Sequence, residues 1–106
     1  MRLPIRLTEV EPEGAGRDSG SVNLRFRFGP RHPDQLQALR EARRSMLREE
    51  STLGAIEGEP RLFDATFAPF EISWRVPVGA EVRCRERLTR LVWRANRLSL
   101  NSPAPA

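Results

Sequence analysis

The sequence predicts an α+β fold, a two-layer sandwich in which two helices cover one face of a four-stranded sheet, antiparallel or mixed. Short segments alternate apolar and polar residues, as half-buried strands do. Two longer segments repeat apolar residues at helical spacing, and the elements follow in the order β-β-α-β-β-α. A chain of 106 residues suits one domain, which we expect to occupy residues 1–100.

Two strands are predicted in the first part of the chain. Residues 1–10 alternate, but Pro4 cannot donate a ladder hydrogen bond, so we expect this strand at a sheet edge or beginning late. Residues 11–20 are rich in Gly, Pro and charged residues and predict a mobile loop. Residues 21–28 alternate without interruption and predict a strand with one buried and one basic face. The apolar residues of the two strands are Leu3, Ile5, Leu7, Val22, Leu24, Phe26 and Phe28.

The first helix is predicted to begin at Pro33, which suits the first helical position, and to run to about Ser51. We expect Gly54 to end it. The turn before it, residues 29–34, lies at a helix N-terminus, where anions can bind. It matches no phosphate-loop pattern and its prolines remove donors, so we interpret it as a stiff turn.

Two further strand segments follow the first helix. Residues 62–67 predict that Phe63, Ala65 and Phe67 face inward. Residues 70–76 alternate again around Trp74. Pro69 separates the segments, and the pattern leaves open whether it marks a hairpin turn or a bulge in one long strand.

The C-terminal helix, predicted from about Ala80 to Leu100, carries the clearest pattern. Its apolar seam is Cys84, Leu88, Leu91, Ala95 and Leu98. A row of arginines, here called the arginine stripe, repeats the same spacing one residue earlier: Arg83, Arg87, Arg90, Arg94 and Arg97. Residues 101–106 predict a disordered tail.

Positive charge is concentrated at the C-terminal end of the chain. All 18 basic residues are arginine, a bias that fits a GC-rich genome as well as bidentate contacts to carboxylate or phosphate. Residues 75–106 carry a net charge of +5 and residues 1–74 a net charge of −1. Electrostatic attraction to a partner would therefore act through the last helix and the residues before it.

The sequence offers little for catalysis or metal binding. His32 is the only histidine, and Cys84, the only cysteine, belongs to the apolar seam. No acidic cluster has metal-ligand spacing, so we predict no catalytic residue, metal, cofactor or small-molecule substrate. We find no secretory signal and no apolar run near the roughly 18 residues of a membrane span, so we expect no membrane contact and a cytoplasmic location.

Trp93 is predicted to lie off the seam, exposed beside the arginines. Because Trp and Arg are enriched at interfaces, we interpret the helix as the docking surface of a non-enzymatic adaptor. Its partner would be a protein with an acidic surface or a second copy of the chain. The predicted contacts are Arg83, Arg87, Arg90, Trp93, Arg94 and Arg97.

Two other interpretations of the arginine stripe stay open. Nucleic acid could bind Arg83, Arg87, Arg90 and Arg94 together with Arg25 and Arg27 on the basic sheet face. The five Phe residues all fall on predicted core faces, which argues against a base-stacking platform. A stripe that is merely solvated is the remaining interpretation.

Overall fold

The computed structural model describes residues 4–11, 17–18, 20–29, 32–53, 60–68 and 70–101. Several predictions concern residues outside these ranges: the face of Leu3, the helix stop at Gly54, most of the 11–20 loop and the tail after Asn101. The described residues form the predicted α+β sandwich, with an antiparallel sheet and two helices.

Five strands and two helices make up the described fold. The strands are β1 (Arg6–Val10), β2 (Arg17–Asp18), β3 (Ser21–Gly29), β4 (Thr66–Ala68) and β5 (Glu71–Pro77), and the helices are α1 (Pro33–Leu53) and α2 (Glu81–Asn101). A short 3-10 helix, Leu62–Asp64, precedes β4. The strand order is β1-β3-β5-β4, and the two-residue β2 also pairs with β3.

The N-terminal strands pair with β3 in two pieces. β1 lies at the edge of the sheet and begins after Pro4, as predicted, and Arg6 pairs with Gly29. β2 pairs Arg17 with Val22, so a short strand lies inside the segment expected to be a loop. Gly20 makes this return to β3 possible, because its φ of 83° is strained for a residue with a side chain.

The second half of the sheet differs from the expected pattern at the 3-10 helix. Leu62 and Ala65 are buried, whereas Phe63, expected to face inward, is exposed, so that prediction was wrong. The Glu50 carboxylate accepts the N–H groups of Leu62 and Phe63, which favours the tight turn over a strand. Ala68 pairs with Glu71, so β4 and β5 are neighbouring antiparallel strands. Pro69, for which the sequence left a hairpin turn or a bulge open, lies outside the described residues.

Both helices pack on the same face of the sheet, over the core formed by Phe26, Ile72 and Trp74. The seam of α2 is buried at Cys84, Leu88, Leu91 and Ala95, but Leu98 is exposed and Ser99 is buried instead. A straight helix drifts by about 20° per heptad from a strict seven-residue repeat. Two heptads after Cys84, this drift has moved the seam away from Leu98. In the described part of the chain, no helix is both long and apolar enough to cross a membrane.

Candidate docking face of the C-terminal helix

Contacts at both ends hold α2 against the sheet. A turn places its start: Ala80 N–H donates to the Pro77 carbonyl at 3.0 Å, and Gly79 within it has a φ of 94°. Near the other end, the Asn96 amide clamps the backbone of Ile5. Its Oδ1 accepts the Ile5 N–H at 2.7 Å, and its Nδ2 donates to the Ile5 carbonyl at 3.1 Å.

A third contact is an ion pair between α2 and β1. Arg85 Nε donates to Glu9 Oε1 at 2.8 Å, and Arg85 Nη2 donates to Oε2 at 3.3 Å. The hydrogen bond from Arg85 lowers the pKa of the Glu9 carboxyl from its ordinary value. Both side chains are largely exposed, so this pair adds orientation more than stability.

The arginine stripe divides between two environments. Arg87 Nη1 donates at 2.8 Å to Glu50, whose side chain is only 6% exposed. Arg94 donates at 3.0 Å to Ser45 Oγ and at 2.9 Å to Glu49 Oε1. These two arginines, seven residues apart, therefore point at α1 and join the helices. The sequence placed them in the contact set for a partner, but their guanidinium groups are already engaged inside the chain.

The side of α2 that points away from both α1 and the sheet is here called the outer face. Trp93 is 59% exposed on it, and the Arg97 guanidinium lies 4.7 Å from the centre of the Trp93 ring system. The outer face comprises Val82, Arg83, Glu86, Thr89, Arg90, Trp93 and Arg97, all exposed. Arg83, Arg90 and Arg97 thus share this surface with a single carboxylate, that of Glu86.

The open face of the sheet is the side that no helix covers. Arg25 and Arg27 lie on it, as predicted, but both guanidinium groups approach the Glu71 carboxylate. The Arg25 hydrogen bond, followed by that of Arg27, lowers the pKa of Glu71. By strand register, the described residues on this side include no aromatic ring. The open face therefore has less free positive charge than its arginine count suggests.

The single cysteine and the single histidine both lie outside the outer face. Cys84 is buried, and burial raises the pKa of its thiol to about 12, so it is protonated at neutral pH. The backbone N–H of His32 donates at 3.3 Å to Gln35 Oε1, a contact that caps the start of α1. Within the described ranges, no three His, Cys, Asp or Glu side chains lie close enough together to hold a metal ion.

Comparisons with known proteins give no relative for this chain: no protein-family model, no curated protein and no solved structure matches it.

Sequence reasoning missed the Glu49 and Glu50 contacts to α2. The available signal was that Glu49 and Glu50 are adjacent acids near the end of α1, where they could pair with arginines of another helix. The periodicity of one helix does not reveal which flank another helix will cover.

Proposed function

We propose that this protein is a non-enzymatic binding module that docks an acidic surface of a partner protein on the outer face of α2. The observation that carries the proposal is the exposure of Trp93 between arginines, on a helix whose other sides are all in contact with the chain. The proposed contacts are Arg83, Arg90, Trp93 and Arg97. Arg87 and Arg94 are left out because they already bind acids of α1.

An exposed tryptophan favours a protein contact for a physical reason. The indole ring leaves a large apolar area in water, and burying it in a partner's pocket releases that water. Val82 is exposed on the same side of the helix and would extend the apolar contact. Stacking of Arg97 on Trp93 limits the motion of both side chains, which lowers the entropy lost on binding.

The charge of the outer face favours an acidic partner over a second copy of the chain. Two outer faces in contact would bring together six arginines and only two carboxylates, since each copy contributes Arg83, Arg90, Arg97 and Glu86. Like charges across an interface oppose association. A partner surface rich in Asp and Glu would instead attract this helix and orient it before contact.

Nucleic-acid binding through the open face is the second candidate. The Arg27 side chain supports it, being 53% exposed with only a 3.5 Å contact to Glu71. Arg6 and Arg75 lie on the same side by strand register. The pairing of Arg25 with Glu71 and the lack of aromatic rings on that side argue against it.

The proposal is tested by affinity capture from a nuclease-treated extract of the protein's own cells. The baits are the wild type, Trp93→Ala, Arg90→Glu and the control Arg44→Glu, which reverses the charge of an exposed arginine on α1. We expect an acidic protein to be retained by the wild type and the control and lost from the two outer-face variants. We also expect high salt to weaken retention, because exposed charges are screened.

Two results would contradict the proposal. One is capture that the outer-face variants leave unchanged. The other is binding of purified duplex or single-stranded nucleic acid that falls steeply with salt and is lost in Arg27→Gln, which would favour the second candidate. Circular dichroism should show every variant folded, since surface substitutions usually change stability by about 0.5 kcal/mol or less.

A further inference from the structure

A concave site lies away from α2, between the first half of α1 and the β4–β5 hairpin. It is a cavity of about 240 Å³. Its apolar wall is Phe28, Leu36, Leu39, Phe67 and Phe70. Arg40 and Arg43 of α1 provide the polar part of the lining, and none of the described residues that line it is acidic.

Arg43 is the charged residue of this cavity that stacks on its aromatic wall. Its guanidinium carbon lies 4.5 Å from the centre of the Phe67 ring, so the group stacks on an aromatic wall. Its Nε is buried and has no hydrogen-bond acceptor in the described part of the chain. Among the described residues, the Arg43 guanidinium makes no hydrogen bond or ion pair, so its terminal nitrogens keep donors that an anion could use.

Phe70 provides an independent observation at the same cavity. Its φ of 60° lies in the left-handed region, where a turn normally has Gly or Asn. An aromatic side chain at this position strains the backbone, and such strain is found preferentially at functional sites. Here the strained residue places its ring in the cavity wall.

We propose that this cavity binds a small carboxylic acid with a compact apolar tail, aromatic or branched aliphatic. The tail fills the space between Phe28, Leu36 and Phe70, and the carboxylate pairs with the terminal nitrogens of the Arg43 guanidinium, because the buried Nε is out of a ligand's reach. The volume is below the roughly 300–1,000 Å³ typical of ligand pockets, so the tail is about the size of one ring. The site is separate from the outer face of α2 and does not rest on the docking proposal.

The test compares phenylacetate with its uncharged analogue phenylacetamide on the wild-type protein, by ¹H–¹⁵N NMR titration. We expect phenylacetate to shift the amide signals of Leu36, Leu39 and Phe70. Phenylacetamide should bind about tenfold more weakly or worse, because it lacks the charge that pairs with Arg43. This comparison needs no variant.

Variants then locate the contact. Arg43→Gln should weaken phenylacetate binding by about tenfold or more, whereas Arg44→Gln, an exposed neighbour, should leave it unchanged. Equal binding of the acid and the amide would overturn the proposal, as would shifts that map elsewhere or no shifts at all. Binding of an acidic peptide at this cavity without binding of phenylacetate would also overturn it, because the occupant would then be a protein.

Discussion

Arg87 provides a quantitative test of the division of the arginine stripe. In Arg87→Met the aliphatic stem stays in place and the guanidinium is lost, so Glu50 keeps only its backbone donors. A hydrogen bond between charged groups contributes about 1.5–3 kcal/mol. Since the Arg87 side chain is 30% exposed, water replaces part of the contact, and we expect a loss of about 1.5–2 kcal/mol.

The loss is large enough to measure. A domain of this size has about 5–15 kcal/mol of stability, and the change should lower the melting temperature by about 10 °C. Urea denaturation followed by circular dichroism gives the free energy of unfolding for Arg87→Met, Glu50→Gln and the double variant. The cycle should show a coupling of about 1–2 kcal/mol, as expected for residues in direct contact.

Arg90→Met is the matched control, since Arg90 lies on the same helix and is exposed. We expect it to change the free energy of unfolding by no more than about 0.5 kcal/mol. The reasoning is refuted if Arg87→Met and Arg90→Met cost the same, or if the coupling of Arg87 to Glu50 is close to zero. In that case Arg87 is solvated as Arg90 is, and the arginine stripe is not divided between two environments.

The remaining predictions concern the contacts and burial of α2. Asn96→Ala removes both hydrogen bonds to Ile5, so it should cost about 1–3 kcal/mol in urea denaturation and speed amide exchange at Ile5; unchanged exchange would argue against the clamp. Cys84, with its thiol pKa raised to about 12, should resist iodoacetamide at about pH 8 until the chain unfolds, and rapid labelling of the folded protein would contradict its burial. The Arg85 hydrogen bond depresses the pKa of Glu9 below its ordinary value, and the exposed pair should add at most about 1 kcal/mol. That stability is present above the ordinary pKa and is lost as pH falls through the lowered value, and an NMR titration should show the Glu9 pKa rising in Arg85→Gln.

The sequence predicted the elements of this fold well where one pattern decides the outcome. β3 alternates over its whole length, and the structure buries Leu24, Phe26 and Phe28. α1 begins at Pro33 as expected from the fixed φ of proline. At such positions local preference and burial favour the same structure, so the tertiary context changes little.

Prediction from sequence was wrong where a distant group decides the local structure. Phe63 alternates with polar neighbours, yet Glu50 accepts two N–H groups there and stabilises a 3-10 turn that exposes the ring. The spacing of Leu62 and Ala65, three residues apart, also fits that turn. Glu50 lies 12 residues before Leu62 in the chain, so the local pattern around Leu62 could not reveal this contact.

The candidate site was predictable in part. Exposure of Trp93 followed from its position opposite the seam and is observed. Which arginines of the stripe contact α1 was not predictable from the sequence. Arg87 and Arg90 each come directly before a seam residue, and only the position of α1 distinguishes them. The cavity lined by Arg43 was likewise hidden, since its walls come from three separate segments.

The docking proposal is tested most directly by site-specific photo-crosslinking in cells. A benzoylphenylalanine at Thr89 samples the outer face of α2, and one at Ser73 samples the open face of the sheet. We predict that the Thr89 probe forms a crosslink to one acidic protein, that nuclease leaves it intact, and that Trp93→Ala abolishes it. Crosslinks formed only by the Ser73 probe, or crosslinks to nucleic acid, would contradict the docking function proposed for α2.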